Sequence, residues 1–402
     1  MSLPESRTTA RFGLDDLRLT MMGYRPYVDA LLVFLSSRAL MLMGVFFAAR
    51  FVPRNPAGEI WDVNSSWYHY LLRYDSGWYM RIARFGYSFS GDNSIQQPVA
   101  FFPLYPLLTR AVSKLSGVDY AVAALLVANV AGVCAILLFY KLVENSHDGQ
   151  VALYAVAFVS FFPTSLFLSA GYSESLALLL ICVVFLLLKS QRFILAAVCA
   201  GLANATRPTS IVILVPLLWE LWLYCANNWK RFLALSVPCC LLGTSGLWLY
   251  MIYLWSAFNH PFAFVTNVEA WSQINSPLGI VGMLLLKPFA ALADIFSAGP
   301  NPNTLDPWLF LLFLVLTIVF WKRLHTSHAL FAISSLVFIY LTRTGTQGFM
   351  AATRYLLLVF PAFIILAVLM RSKTWLALST VGLFAGALFM YSAMFAQWYW
   401  AG

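Results

Sequence analysis

Four charged residues stand out in this mostly apolar chain. Asp75, Glu174 in Gly171-Tyr172-Ser173-Glu174-Ser175, Arg207 in Ala205-Thr206-Arg207-Pro208 and Arg354 in Ala352-Thr353-Arg354-Tyr355 make two carboxylates and two guanidiniums. A carboxylate can take the proton of an attacking hydroxyl, and an arginine can neutralise phosphate oxygens through a planar two-point contact. Ionisable groups at a membrane are costly to desolvate, which makes each of them a functional candidate. Each also has a plainer reading. Asp75 could pair with Arg73, Arg81 or Arg84 on a surface helix, and Glu174 could cap a helix N-terminus. Arg207 and Arg354 could lay their stems along lipid and place their heads at the interface. Glu220 falls near the opposite end of an apolar run and is read as structural.

The elements that must position these groups are membrane helices. Of 402 residues, 61% are hydrophobic and 10% charged, against roughly 25% charged in a soluble domain. The apolar runs are long and do not alternate, so helices rather than a barrel satisfy the backbone in lipid. They fall near 29–51, 119–143, 150–170, 173–189, 193–207, 209–227, 231–258, 303–321, 326–343, 352–370 and 374–396. An all-α polytopic bundle of about eleven transmembrane helices follows, one domain over 1–402. Residues 1–28 form a polar, basic tail without the pattern of a cleavable signal peptide.

Alternate connections carry the positive charge: Arg7, Arg11, Arg18 and Arg25, then Lys189 and Arg192, Lys230 and Arg231, Lys322 and Arg323, and Arg371 and Lys373. All five clusters share one side if there are eleven spans, and that side is expected to be cytoplasmic. The net charge of +9 is spread over these loops, as orientation signals are, and does not point to nucleic acid. The other side holds the long loops 52–118 and 259–302, and there the four charged residues gather at the ends of spans. The first loop is dense in Trp61, Trp67, Tyr68, Tyr70, Tyr74, Trp78 and Tyr79, which suits amphipathic helices lying among headgroups. A helix over 64–86 puts Tyr68, Leu71, Leu72, Asp75, Tyr79 and Ile82 on one mostly apolar stripe, interrupted by Asp75. The breaks at Phe162-Pro163-Thr164-Ser165 and Asn204-Ala205-Thr206-Arg207-Pro208 imply polar backbone at depth, expected to wall a cavity roofed by the first loop.

Several segments resemble one family. Arg73-Tyr74-Asp75-Ser76-Gly77-Trp78-Tyr79, Ala100-Phe101-Phe102-Pro103-Leu104-Tyr105-Pro106-Leu107, Phe162-Pro163-Thr164-Ser165, the Gly171–Ser175 motif, Ala205-Thr206-Arg207, and Arg354-Tyr355 with Pro361 are similar, in order, to blocks of the PIG-V family of GPI mannosyltransferases and their prokaryotic relatives. The resemblance implies a GT-C architecture and a first outer loop carrying an essential aspartate, here Asp75. It also implies a polyprenyl-phosphate-linked sugar donor of the dolichyl-phosphate-mannose type, inverting transfer to a glycolipid or glycan acceptor, and no obligatory cofactor. Arg207, Arg354, Glu174, Trp78, Tyr79 and Tyr172 are then expected to hold the donor phosphate and substrate. Arg73-Tyr74 stand where eukaryotic members carry His-Trp, which leaves the acceptor and the sugar open. Without the long eukaryotic insertions or a C-terminal retention signal, a prokaryotic cytoplasmic membrane is a better match than the endoplasmic reticulum.

The residues fit that chemistry on their own terms. A base must accept the acceptor's proton, and arginines must stabilise a departing phosphate whose charge grows. No metal-ligand spacing appears among the histidines or among Cys134, Cys182, Cys199, Cys225, Cys239 and Cys240. No metal is expected from spacing, although two carboxylates beside a phosphate leave a divalent cation open. The competing class is a transporter or lipid flippase, which also uses many spans and broken helices. No internal repeat supports it, and the charges gather at span ends rather than at mid-membrane.

Overall fold

The computed structural model describes residues 14–56, 58, 66–226, 228–267, 270, 305–345, 348–349 and 351–400. Trp61, the tail before residue 14 and most of the loop 259–302 lie outside the described residues. Each of the eleven apolar runs contains a helix. The helices are α1 (Leu14–Phe51), α2 (Asp75–Phe85), α3 (Leu104–Ser116), α4 (Tyr120–Glu144), α5 (Gly149–Phe161), α6 (Glu174–Lys189), α7 (Phe193–Thr206), α8 (Leu214–Tyr224), α9 (Trp229–Gly243) and α10 (Ser245–Phe258). After the second long loop come α11 (Asp306–Phe320), α12 (Thr326–Arg343), α13 (Ala352–Leu356), α14 (Phe360–Met370) and α15 (Thr374–Ala396). Two-residue strands, Thr344–Gly345 and Gly348–Phe349, pair in a small hairpin between α12 and α13. The protein is an all-α integral membrane protein.

Among the described residues, Arg25–Phe51, Tyr120–Glu144 and Thr374–Ala396 are long and apolar enough to cross a membrane alone. The pair α9 and α10, bent by 51°, makes a fourth if taken as one span. The other apolar helices are shorter because their runs break. The run 150–170 ends as α-helix at Phe161, where Pro163 cannot continue it, and resumes as a 3-10 turn over Ser165–Leu168. Arg38, buried in α1, closes that break. Its guanidinium donates to the carbonyls of Ser160 (2.7 Å) and Ser165 (2.5 Å) and to the Ser165 hydroxyl (2.8 Å). The polar backbone there is thus satisfied by protein rather than exposed to a cavity, which corrects the expectation for that break.

Local chemistry sets several helix starts. Asp119 accepts from Ala121 N–H, Asp148 from Val151 N–H and Asn228 from Arg231 N–H, capping α4, α5 and α9. At the ends that carry the basic clusters, Lys189 donates to the Asn145 carbonyl (2.7 Å), Arg371 pairs with Asp148 (2.7 Å), and His325 Nδ1 lies 3.3 Å from Glu220 Oε1. Tyr27, two residues beyond Arg25, donates to Glu144 at the same end. The loops that the charge pattern groups together therefore meet at one end of the bundle, opposite the four charged residues.

The first loop does carry amphipathic helices, α2 and α3, but 64–86 is not one helix. A 3-10 turn covers Trp67–Leu71, the chain turns at Leu72–Tyr74, and α2 begins at Asp75. Asp75 therefore opens a helix instead of interrupting a stripe. A carboxylate in a first helical turn is favoured by the helix dipole.

Candidate active site

Four chain segments converge to build the site, one of them the end of α7, whose C-cap is Arg207. The turn Gly171-Tyr172-Ser173 docks against the segment before α2. Gly171 N–H donates to the Leu71 carbonyl (3.1 Å), and a Cβ on Gly171 would lie 2.4 Å from Leu72 Cδ2. A larger residue would have to displace the Leu72 side chain, and the close approach brings the first residue of α6, Glu174, towards the first residue of α2, Asp75. The third segment is the five-residue helix α13, which carries Arg354.

The turn that delivers Asp75 is strained. Tyr74 has φ 52° and ψ −117°, a conformation that costs a non-glycine residue on the order of 1–3 kcal/mol and persists only when its surroundings enforce it. Those surroundings are visible. The Tyr172 hydroxyl donates to the Arg73 carbonyl (3.0 Å) and accepts from Asp75 N–H (3.2 Å). The residues after α15 close over the other side: Arg73 Nε donates to the Ala396 carbonyl (3.1 Å), and its guanidinium lies over the Trp398 ring. Tyr74 packs edge-on against Trp398 and Trp400, with ring centroids 5.1 and 4.9 Å away.

Asp75, Arg354, Glu174 and Arg207 form one chain of alternating charge. Asp75 Oδ2 lies 2.5 Å from Arg354 Nη1. Glu174 Oε1 accepts from both Arg354 Nε and Arg207 Nη1. Two positive and two negative charges cancel, as a buried network requires if its desolvation is to be offset. Burial is graded along the chain: the Glu174 side chain is 0% exposed, those of Arg354 and Arg207 are 5% and 6%, and that of Asp75 is 20%. Asp75 is the end that solvent or a substrate reaches. Glu174 Oε2 is buried and has no hydrogen-bond partner among the described residues.

Aromatic rings hold the guanidiniums in plane. Arg354 lies over Tyr172 at 4.5 Å and over Phe167 at 5.0 Å, and Arg207 lies over Tyr355 at 4.7 Å. Ser173 Oγ sits between Arg207 Nη1 (3.5 Å) and the Tyr79 hydroxyl (3.0 Å). Burial pushes the Tyr79 phenol well above its ordinary range, against the opposing pull of Arg207, so it stays a neutral hydroxyl.

Of the residues singled out by sequence, Asp75, Glu174, Arg207, Arg354, Tyr79 and Tyr172 come together. Trp78 does not join them: it turns to the flank of α2, stacked on Phe101 at 6.0 Å and beneath Arg81. The plainer readings largely fail. Asp75 pairs with Arg354, while Arg73, Arg81 and Arg84 lie against aromatic rings. Neither Arg207 nor Arg354 reaches outward; both are buried and ion-paired. Glu174 does open a helix, and it bridges two arginines as well. Among the described residues no group of three His, Cys, Asp or Glu is arranged for a metal. Asp75 and Glu174 are bridged by Arg354. Sequence reasoning missed Asp306, which holds the segment carrying Arg354, and Arg38; their signal was a lone charge inside an apolar run.

A family model described as dolichyl-phosphate-mannose-protein mannosyltransferase matches residues 96–255, a stretch that includes Glu174 and Arg207. None of the curated protein sequences matches this chain. Among solved structures, the apo oligosaccharyltransferase of Archaeoglobus fulgidus is 14% identical with a TM-score of 0.44, over 91% of this chain and 56% of that one. The same enzyme with zinc and sulfate gives 13%, 0.42, 89% and 52%. Its complex with an inhibitory peptide and a dolichol-phosphate gives 13%, 0.39, 90% and 55%. The chain thus spans about half the length of these structures.

Proposed function

We propose that this protein is an integral membrane glycosyltransferase of the GT-C type, transferring a sugar from a polyprenyl-phosphate-linked donor to a glycolipid or glycan acceptor. The observation that carries the reading is the charge chain ending in the half-open Asp75. A base at the rim and two arginines behind it are what transfer from a lipid phosphate needs. The family match over residues 96–255 supports a donor of the dolichyl-phosphate-mannose kind, and mannose is the sugar we assign. With all eleven apolar runs as spans, the loop charges support an N-terminus inside and a site on the extracytoplasmic face, and we assign the membrane as a prokaryotic cytoplasmic one. The PIG-V-like segments, Asp75 among them, agree with this reading.

In the reaction, the acceptor hydroxyl approaches Asp75 and gives up its proton as its oxygen attacks the anomeric carbon. The bond from that carbon to the donor phosphate breaks on the opposite face, inverting the configuration. The departing phosphate gains negative charge, which Arg207 and Arg354 neutralise from fixed positions. Glu174 keeps the two guanidiniums together on one oxygen, and Tyr172, Phe167 and Tyr355 keep them in plane.

The test is sugar transfer by purified protein in lipid nanodiscs, supplied with synthetic polyprenyl-phosphate mannose, glucose and other sugars. Transfer from the mannosyl donor is expected. Counterflow of a lipid or sugar in proteoliposomes without transfer from any donor would overturn the reading in favour of a transporter.

A further inference from the structure

Asp306 opens α11, is 1% exposed, and pairs with no cation among the described residues. Its carboxylate is filled instead by the start of α13. Oδ2 accepts from Ala352 N–H (3.1 Å), and Oδ1 accepts from Thr353 N–H (3.0 Å) and from the Thr353 hydroxyl. The Thr353 carbonyl is in turn taken by the Thr164 hydroxyl (3.0 Å), from the break after α5. Helix α13 has five residues and follows Ala351, whose φ of 59° is left-handed. A single helical turn cannot hold itself in place, and a strained residue at its start must be enforced from outside. Arg354 is the residue immediately after Thr353, so any movement of this turn moves the guanidinium between Glu174 and Asp75.

We propose that Asp306 is a positioning residue for Arg354, fixing the backbone of the short helix from which the guanidinium reaches both Asp75 and Glu174. The inference rests on the reading of Arg354 as a ligand of the donor phosphate. The convergence of three donors explains why a carboxylate stands here. An asparagine would turn its amide N–H₂ towards a donor and lose at least one of the three bonds. The turn would then settle elsewhere, and displacement of a group by about 1 Å can cost on the order of 100-fold in rate.

The experiment is a double-mutant cycle of Asp306→Asn and Arg354→Ala in the full chain, scored on donor kcat/KM and on thermal unfolding. Asp306→Asn alone is expected to lower kcat/KM by about 10- to 100-fold. In the Arg354→Ala background it should add less than about 2-fold, the margin within which independent sites already combine. An equal loss in both backgrounds overturns the proposal, because support of the fold in general does not depend on Arg354. If Asp306→Asn fails to fold, Thr353→Val replaces it in the cycle, with Thr353→Ser expected to restore the parental rate. If the parent transfers no sugar, the functional reading has failed by itself. The cycle on thermal unfolding then decides the positioning: coupling between the two sites supports it, and additivity overturns it.

Discussion

Replacing Asp75 by asparagine separates chemistry from architecture at this site. The amide keeps the size of the side chain but cannot accept a proton. Loss of a general base costs typically 10²–10⁴-fold, which at 1.36 kcal/mol per decade is about 3–5 kcal/mol of barrier. The fold also loses some stability, because two buried guanidiniums are left with one carboxylate. Asp75 is 20% exposed and Arg354 5%, and Arg354 keeps Glu174 when Asp75 is neutralised. The cost should fall between about 0–1 kcal/mol for a surface pair and about 3–5 kcal/mol for a buried one, so the melting temperature should drop while the protein stays folded. Asp75→Glu restores the base one methylene out of place and should recover only part of the rate, since misplacement by about an ångström can itself cost about 100-fold. Single-turnover transfer with a labelled donor reads the rate, and intrinsic tryptophan fluorescence reads the unfolding. A folded Asp75→Asn protein transferring sugar within a few-fold of the parent would refute the assignment of the base.

The same change at Glu174 should weigh more on the fold. Glu174→Gln removes the one carboxylate that holds two buried guanidiniums, and breaking a buried pair costs about 3–5 kcal/mol; a melting temperature unchanged from the parent argues that the network is not load-sharing as drawn. Arg207→Lys and Arg354→Lys should each recover only part of the activity lost in the alanine variants, because an ammonium cannot make the planar two-point contact; full activity in both alanine variants would remove these residues from phosphate binding. Trp398→Ala should lower kcat by releasing the turn at Tyr74, with Trp398→Phe close to the parent; a rate unaffected by either change would separate the chain after α15 from the site. A reporter fused after Gly402 should be active on the extracytoplasmic side, and cytoplasmic activity would reverse the assigned orientation.

Periodicity and loop charge reach as far as the helices and their polarity, because both are written locally. Each apolar run holds a helix, and the basic loops meet at one end. The expected eleven-span parity groups Asp75, Glu174, Arg207 and Arg354 at one end, and the structure brings the four together. What stayed hidden depends on backbone geometry or distant partners. The reading of 64–86 as one helix ignored the turn at Leu72–Tyr74, which no residue type announces, since a tyrosine rather than a glycine takes the positive φ. The aromatic residues after α15 have no role assigned from sequence, yet Trp398 and Trp400 pack on Tyr74. Asp306 stands as a lone charge in an apolar run, but its donors lie 46 and 47 residues away, a pairing no local pattern shows.

Arg38 and Arg354 show why a lone arginine in an apolar run cannot be interpreted from sequence. Both are buried, both lie over aromatic rings, and both sit beside a broken helix. Arg38 is surrounded by carbonyls and hydroxyls of one break, Ser160, Ser165 and Ser169. Such partners are fixed in the backbone, and a guanidinium spent on them serves to hold α1 against α5. The partners of Arg354 are carboxylates on two different helices, one of them reaching the surface. A carboxylate can exchange an arginine for a proton, and an arginine so held can turn to a phosphate without leaving a backbone carbonyl unsatisfied. The kind of oxygen that faces the guanidinium, and its access to solvent, is what divides the cation that closes a gap from the cation available for chemistry.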